Sequence, residues 1–378
     1  MIRDLEAARR REVARLDPEI LEAIGRGWDD PLDEDEFDRL SRDVFAHQLR
    51  FNPVYRQFCL FQGIGAAADV RGWREIPPVP TGAFKVGRWA TFPDAQERVA
   101  FRTSGTSTSP RGVHRLDTLA LYNSAIVSSA RRWLVPDREQ IRCLFLSPDP
   151  RAAPDSSLVH MFAVFREAFG GPGTAFLSGG GSGSAGADAL AAALDRASTD
   201  GEPVLLAGAA LAFHHALPEA GARSWTLPAG SRAMVTGGFK GVRAAADPTA
   251  LSARIAARTG IPGELQVAEY GMTELSTQYY DPALRLALGS DAPRIEGAGF
   301  GIPPWARVRI VEPIEGRELT DGEVGAIVHY DLANRGSALA LQTSDLGVRT
   351  GAWTFELRGR EPGAEARGCS LAADLWLG

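Results

Sequence analysis

The sequence predicts a mixed α/β fold in which most strands of the main domain run parallel. Three observations support this prediction. Apolar residues recur at helical spacing to about residue 74, short apolar strands alternate with helical stretches from residue 97 to about 280, and strands separated by turn residues follow from about 300. We therefore expect a helical N-terminal part, an α/β core and a smaller β-rich subdomain.

Residues 1–96 are predicted to form helices that pack on the main domain. Apolar side chains three to five positions apart, with charged residues between them, give this part its pattern: Leu40, Phe45, Leu49, Tyr55 and Phe58. The basic stretch at 7–12 is expected on the solvent side of an N-terminal helix. Prolines at 77, 78 and 80 then require extended chain.

Residues 97–358 are predicted to form the core, with the β-rich subdomain beginning at about residue 300. The predicted strands cover residues 98–102, 141–146, 204–207, 233–235, 264–268, 305–311, 324–330 and 353–357. The predicted helices include 119–134 and 190–197. The Gly- and Ser-rich stretch at 170–186 lacks a flanking cation, so we expect a flexible surface loop without chemistry there.

Composition excludes several classes of function. The formal net charge of −6 argues against a nucleic-acid partner, because such a surface needs a basic face. The chain starts without an apolar signal core, and its most apolar window, 204–217, is interrupted by two histidines, so we expect a cytoplasmic protein with no membrane span. Three widely spaced cysteines form neither a disulfide framework nor a metal pattern. Cys59 and Cys143 lie in apolar runs and are predicted to be structural.

The most informative segment is TSGTSTSPRG at residues 103–112, directly after a predicted strand. Glycine lets backbone N–H groups approach an anion, hydroxyls add donors and arginine adds positive charge, so such a loop is suited to phosphate. The candidate phosphate-binding residues are Thr103, Ser104, Gly105, Thr106, Ser107 and Arg111. Taken alone, a cluster of this composition is more often an ordinary solvated loop.

Four further segments follow in a fixed order: VTGGFKG at 235–241, EYGMTE at 269–274, TSDLG at 343–347, and GR at 359–360. Together with the 103–112 loop they resemble the motifs of the adenylate-forming enzymes. The resemblance implies the N-terminal domain fold of that superfamily, with ATP and Mg²⁺ as cofactors.

The resemblance also implies roles for individual residues. The loop would bind the ATP phosphates, Glu274 would associate with Mg²⁺, Tyr270 would stack on adenine and Asp345 would hold the ribose hydroxyls. The further ATP-binding residues that it implies are Gly237, Gly238, Gly271, Thr273 and Arg360. Plainer interpretations stay open: Tyr270 as an apolar strand end, Glu274 as a helix cap and Asp345 as a turn former.

Other candidates depend on weaker arguments. Lys240 is a candidate catalytic residue mainly because the chain holds only one other lysine, Lys85, and it can equally be a plain surface lysine. His160, His214 and Met272 are candidates for lining the substrate site, although histidines in such settings are more often core residues.

The finer resemblance is to the LuxE-like acyl-protein synthetases, the fatty-acid-activating component of bacterial luciferase systems. It is carried by IPPVPTGAFK at 76–85, GMTELSTQY at 271–279, PPWARVR at 303–309 and the ending at 359–370. The chain departs from the usual phosphate loop at Thr108 and Ser109, which replace a glycine-containing step, and at Arg111, which replaces lysine. Arg keeps the charge in a planar, forked form, so the loop geometry can differ.

Residues 359–378 are predicted to be a hinge and a short tail with Cys369. Only eighteen residues follow Arg360 and none is lysine, so we expect a truncated cap in which no cap-domain lysine performs adenylation. In LuxE-like proteins a cysteine near the C-terminus accepts the acyl group, which implies this role for Cys369, although a chance exposed thiol would look the same. Arg367 close by would favour the nucleophilic thiolate.

These residues predict an ATP-dependent acyl-protein synthetase. A carboxylic acid, fatty in the LuxE-like case, would be activated as an acyl-adenylate and then transferred to Cys369, and from there to an acyl reductase or another acceptor protein. One alternative is a ligase that passes the acyl group to coenzyme A, a carrier protein or an amine. Another is a catalytically degenerate nucleotide-binding scaffold subunit.

Overall fold

The computed structural model describes residues 2–103, 110–177, 184–218, 223–237, 247–289, 295 and 299–361. The chain divides into two units. The first comprises Met1–Ser128, Met272–Thr277 and Arg294–Gly378, and the second comprises Ser129–Gly271 and Gln278–Pro293. The predicted boundaries at residues 96 and 358 stay predictions.

Within the described ranges, the helices and strands are as follows. The helices are α1 (Ile2–Arg26), α2 (Glu34–Phe51), α3 (Pro53–Phe61), α4 (Ala120–Trp133), α5 (Ser157–Phe169), α6 (Ser184–Asp200), α7 (Ala210–Ala216), α8 (Pro248–Thr259) and α9 (Ala283–Ala287). The strands are β1 (Val79–Pro80), β2 (Val99–Arg102), β3 (Val113–Leu116), β4 (Arg142–Leu146), β5 (Ala175–Leu177), β6 (Val204–Ala209), β7 (Arg232–Thr236), β8 (Gln266–Tyr270), β9 (Tyr279–Tyr280), β10 (Phe300–Gly301), β11 (Ala306–Val311), β12 (Gly325–Asp331), β13 (Ala340–Gly351) and β14 (Thr354–Arg360).

The helices α1 to α3 belong to the first unit and confirm the helical pattern of the N-terminal part. A reciprocal capping box between Asp33 and Glu36 begins α2, and the Asn52 side chain accepts the Tyr55 N–H at the start of α3. The apolar positions that gave the pattern are buried, among them Leu40 and Phe45. These helices therefore owe their position to one apolar face rather than to propensity alone.

The sheet of the first unit has the strand order β11-β12-β13-β14-β10, with neighbours antiparallel and β1 added parallel to β13. It is the predicted β-rich subdomain. Separately, β2 and β3 pair antiparallel, with Phe101 opposite His114 and Arg102 opposite Val113. The predicted phosphate loop is therefore the connection of a two-stranded ribbon.

The second unit is the predicted parallel α/β part. Its strands have the order β5-β4-β6-β7-β8-β9, all parallel except β9. Its strands read as apolar runs because they pack in a core with the helices, represented by Leu144, Leu206, Leu194, Phe213 and Ile255. The carboxyl ends of β7 and β8 lie side by side, with Thr236 opposite Glu269.

Two expectations from the sequence were wrong or incomplete. The 170–186 stretch is not simply a surface loop, since β5 lies within it and α6 begins at Ser184. The apolar triplet 175–177 pairs with β4, and the surrounding glycines and serines had masked it. The second difference is β13, a strand of twelve residues that passes through Asp345, where a turn was the plainer interpretation. In the described ranges, no helix combines the length and apolar character needed to cross a membrane.

Candidate active site

The two ends of the predicted phosphate loop are fastened together. The Thr103 N–H donates to the Gly112 carbonyl, and the Gly112 N–H donates to the Thr103 Oγ1, both at 2.9 Å. The Arg111 guanidinium donates to the backbone carbonyls of Thr103 at 2.6 Å and Arg102 at 3.2 Å. Ser104, Gly105, Thr106 and Ser107 lie outside the described residues.

Glu274 lies at the base of this loop. A Cβ placed on Gly112 would be 3.5 Å from Glu274 Oε1 and 3.0 Å from Thr103 Cγ2, so a side chain at position 112 would crowd Thr103 and come into ordinary contact with Glu274. Glu274 is buried, with 8% of its surface exposed. Two segments far apart in the sequence, each predicted to serve the phosphates, therefore meet in the first unit.

Buried polar contacts hold the 273–274 backbone in place. The Asn334 Nδ2 donates to the carbonyls of Glu274 and Ala338, both at 2.9 Å. The His114 Nδ1 lies 2.8 Å from the Thr273 carbonyl oxygen, and its Nε2 lies 2.8 Å from Asn334 Oδ1. Asn334 ends the short 3₁₀ turn Leu332–Asn334, which follows β12.

Asp331 anchors the residues that come after Glu274. Its carboxylate accepts hydrogen bonds from the Ser276 N–H at 2.9 Å and the Thr277 hydroxyl at 2.8 Å. The Trp305 indole N–H also donates to Thr277 Oγ1, at 2.9 Å. Burial raises the pKa of Asp331 to about 6, although these hydrogen bonds oppose the rise.

Asp345 and Arg360 form a cross-strand ion pair. They lie opposite each other on β13 and β14, and Arg360 Nε is 2.9 Å from Asp345 Oδ1. The Asp345 N–H donates to Thr343 Oγ1 at 3.1 Å. Two residues predicted to contact ATP are thus brought together, and Arg360 orients the carboxylate of Asp345.

The second unit holds Tyr270, Gly237 and Gly271. Tyr270 is the last residue of β8, as expected for a ligand-facing position in a parallel sheet, and its ring centroid lies 6.0 Å from that of Tyr279. Gly237 follows β7 with a φ of +68°, a conformation that side chains rarely adopt. Gly238 and Lys240 lie outside the described residues.

The carboxyl group of Glu269 lies beneath the Tyr270–Gly271 backbone. The Thr236 hydroxyl donates to it, and a Cβ on Gly271 would lie 2.5 Å from Glu269 Oε1, so a side chain at position 271 would force the Glu269 carboxyl group to shift. Burial raises the pKa of Glu269 to about 7. Glu269 was quoted in the motif but not predicted as a site residue.

The candidates for lining the substrate site have separate surroundings. His160 lies in α5, and burial lowers its pKa. His214 lies in α7, where its Nδ1 accepts a hydrogen bond from Arg254 at 2.9 Å. Met272 belongs to the first unit and its carbonyl accepts the Leu275 N–H at 3.2 Å. Their assignment to a substrate site stays a prediction.

The cysteines divide as expected where they are described. Cys59 and Cys143 are buried, and burial raises the pKa of each thiol to about 12. Cys369 lies outside the described residues. In the part of the chain that the structure describes, no group of three or more His, Cys, Asp or Glu side chains is arranged to hold a metal ion.

Solved structures provide the comparison with known proteins. 2-Hydroxyisobutyryl-CoA ligase in the postadenylation state, in complex with R3-HIB-AMP, is similar with a TM-score of 0.57 at 12% identity, over 85% of this chain and 67% of that one. Its open conformation, in complex with 2-HIB-AMP and CoA, gives 0.56 at 12% identity, over 87% and 76%. The chain has the adenylate-forming enzyme fold.

A more distant likeness is to ATP-bound MatB from Rhodopseudomonas palustris, with a TM-score of 0.46 at 15% identity over 69% of this chain. The chain spans about half of that protein's length, 47%. No protein-family model matches the sequence, and no curated protein matches it.

In the first unit, the sequence did not reveal three residues that hold the 273–277 segment in place: His114, Asp331 and Asn334. A signal existed for the last two, because Asp331 directly follows a predicted strand and Asn334 comes three residues later. His114 gave no such signal, since one histidine in an alternating strand does not reveal its partner in a distant segment.

Proposed function

We propose that this protein is an ATP-dependent ligase that activates a carboxylic acid as an acyl-adenylate. One observation carries the proposal: the Glu274 carboxyl group lies at the fastened base of the 103–112 loop. The adenylate-forming fold and the order of the motifs support it.

The residues present fit ATP and Mg²⁺. Mg²⁺ usually takes one or two protein carboxylates together with substrate phosphates and water, so Glu274 is the carboxylate that would hold the ion here. Glycine at position 112 lets the loop base lie close to Thr103 and Glu274 without a side chain between them. When bound, Mg²⁺ would neutralise charge on the phosphates.

In this proposal the protein acts by positioning and by electrostatic stabilisation. A carboxylate oxygen of the acid attacks the α-phosphorus, the bond from that phosphorus to the α–β bridging oxygen breaks, and pyrophosphate leaves. The loop and Glu274 would hold the phosphates, and Asp345, held by Arg360, would accept hydrogen bonds from the ribose hydroxyls. The resemblance to the adenylate-forming enzymes assigns stacking on the adenine to Tyr270.

We further propose Cys369 as the acyl acceptor. Its thiolate would attack the acyl carbonyl carbon, the bond to the phosphate oxygen would break, and AMP would leave. The resemblance to LuxE-like proteins supports this step, and an acyl reductase is the partner that such a thioester would serve. Coenzyme A is the competing acceptor, because the similar 2-hydroxyisobutyryl-CoA ligase is in complex with CoA.

ATP–pyrophosphate exchange over a panel of carboxylic acids tests the proposal. We expect at least one acid, with fatty acids first, to support Mg²⁺-dependent exchange. If ATP binds and none does, the degenerate scaffold becomes the better account.

Glu274→Gln should lower exchange by about a hundredfold, because it removes one metal-facing charge and keeps the shape of the side chain. Glu315→Gln, at an exposed glutamate of the same unit, is the matched control and should exchange like the wild type. Exchange at the wild-type rate in folded Glu274→Gln protein would remove the assigned role.

A further inference from the structure

His114 joins the two segments that the proposed function depends on. It lies on β3, two positions after Gly112, at the foot of the phosphate loop. Its ring nitrogens reach across to the Thr273 carbonyl and to the Asn334 side chain, which itself holds the Glu274 carbonyl. All of these residues belong to the first unit.

Both ring nitrogens of His114 face oxygen atoms, which is unusual for a neutral imidazole. Asn334 uses its Nδ2 to donate to two carbonyls, so its Oδ1 faces His114 Nε2. Both ring nitrogens therefore face oxygen acceptors. A neutral imidazole carries only one N–H and can satisfy only one of them at a time.

The ring is neutral at physiological pH because burial lowers the pKa of His114 to about 4. Its surroundings are apolar as well as buried: Phe84 packs edge-on at a centroid distance of 6.2 Å, and Phe101 lies opposite on β2. Asn334 Oδ1 has a second donor, the Ser276 hydroxyl at 3.4 Å. A proton on Nδ1 would donate to the Thr273 carbonyl, and Asn334 Oδ1 would keep the Ser276 hydroxyl as its donor.

We infer that His114 is a positioning residue, which fixes the Thr273–Glu274 backbone against the loop base through its Nδ1–H. Its effect on the metal-facing carboxylate is indirect, since His114 acts through the Thr273 carbonyl and Glu274 lies next along the chain. This inference rests on the proposed function for its effect on turnover, but not for its effect on the backbone.

Two substitutions separate this role from simple filling of the core. In His114→Asn the amide group occupies the place of Nδ1 and can still donate to Thr273. In His114→Gln the amide reaches the place of Nε2 and faces Asn334, although its volume is closer to that of histidine. A purely structural role would favour glutamine, whereas positioning favours asparagine.

The experiment measures pyrophosphate exchange against Mg²⁺ concentration for both variants, with thermal melting as the check on folding. We expect His114→Gln to lose about tenfold in exchange, the effect of one hydrogen bond, and to need more Mg²⁺ for half-saturation. His114→Asn should stay close to the wild type. The control is His47→Gln, a buried histidine of α2 whose ring contacts Glu12, which should melt earlier but exchange normally.

Deuterium uptake by backbone amides gives a readout that does not need activity. Uptake at 272–277 should rise in His114→Gln and stay low in His114→Asn. If the wild type shows no pyrophosphate exchange with any acid while the two variants differ in deuterium uptake, the proposed function fails and the positioning role stands. Equal deuterium uptake and equal pyrophosphate exchange in the two variants would overturn the positioning role. If the glutamine variant does not fold, the test is His114→Asn alone. Faster deuterium uptake at 272–277 in folded His114→Asn protein than in the wild type would then overturn the role.

Discussion

At the scale of single residues, the chain separates inert thiols from a candidate nucleophile. Cys59 and Cys143 are buried, and a thiol whose pKa is raised to about 12 is almost entirely protonated at neutral pH. The thiolate is the reactive form, so neither can readily take an acyl group. The proposed acyl-enzyme step therefore depends on Cys369.

Cys369→Ala should leave pyrophosphate exchange unchanged while abolishing covalent labelling by a radioactive acid, because adenylation needs no thiol. In the wild type the label should be released by hydroxylamine, as a thioester is. Cys59→Ala and Cys143→Ala are the matched controls and should label normally. Two results would favour the ligase alternative. In the first, Cys369→Ala is labelled at the normal rate. In the second, the wild type takes up no label and passes the acyl group directly to coenzyme A.

At the scale of elements, the turn between β12 and β13 holds the candidate site in place. Arg335 is fully buried and pairs with Asp17 of α1 at 2.8 and 3.0 Å and with Asp117 at 3.1 Å. The Gln48 Nε2 donates to the carbonyls of Asn334 and Arg335, both at 3.0 Å. The N-terminal helices therefore fasten the turn from which Asn334 reaches Glu274.

Arg335→Met should lower the free energy of unfolding by about 3–5 kcal/mol, because it leaves the buried Asp17 carboxylate without its partner and leaves Asp117 with Arg9 alone, at 3.2 Å. Urea unfolding measures this loss. Arg317→Met, at an exposed position of the same unit, should change it by less than about 0.5 kcal/mol. A loss below about 1 kcal/mol in Arg335→Met would mean that water or another cation compensates the two carboxylates.

Elements with a clear apolar period were predictable, and those defined by distant partners were not. The strand now seen as β4 and the helix α4 were predicted within a residue or two, because each carries its own apolar run. The strand β13 was missed, since its polar residues Thr343 and Asp345 are placed by pairing with β12 and β14. The residue Glu274 was predictable because it lies in a motif, whereas the role of His114 was not, because its partners Thr273 and Asn334 lie far away in the sequence.

At the scale of the whole molecule, burial shifts the pKa values of many titrating groups. These shifts change the free energy of unfolding with pH in opposite directions. A carboxyl group whose pKa is raised on folding favours the folded state at low pH and loses that contribution as pH rises. The described groups of this kind include Glu269, Asp281 and Asp331. Histidines with a lowered pKa destabilise the fold as pH falls below about 6.5: His47, His114 and His329. A pH profile of the wild type alone therefore mixes both sets.

Comparison with Glu269→Gln isolates one group. The pKa of Glu269 rises from 4.5 to about 7 on folding, so between those pH values the wild type should lose on the order of 3 kcal/mol relative to the variant, at about 1.4 kcal/mol per pKa unit. The glutamine amide keeps a hydrogen bond to Thr236 at every pH. Urea unfolding of both proteins from pH 5 to 8 measures the difference, which should favour the wild type most at pH 5. Glu264→Gln, exposed in the same unit, should follow the wild-type curve throughout. Parallel curves for wild type and Glu269→Gln would mean that the buried carboxyl does not take up a proton on folding.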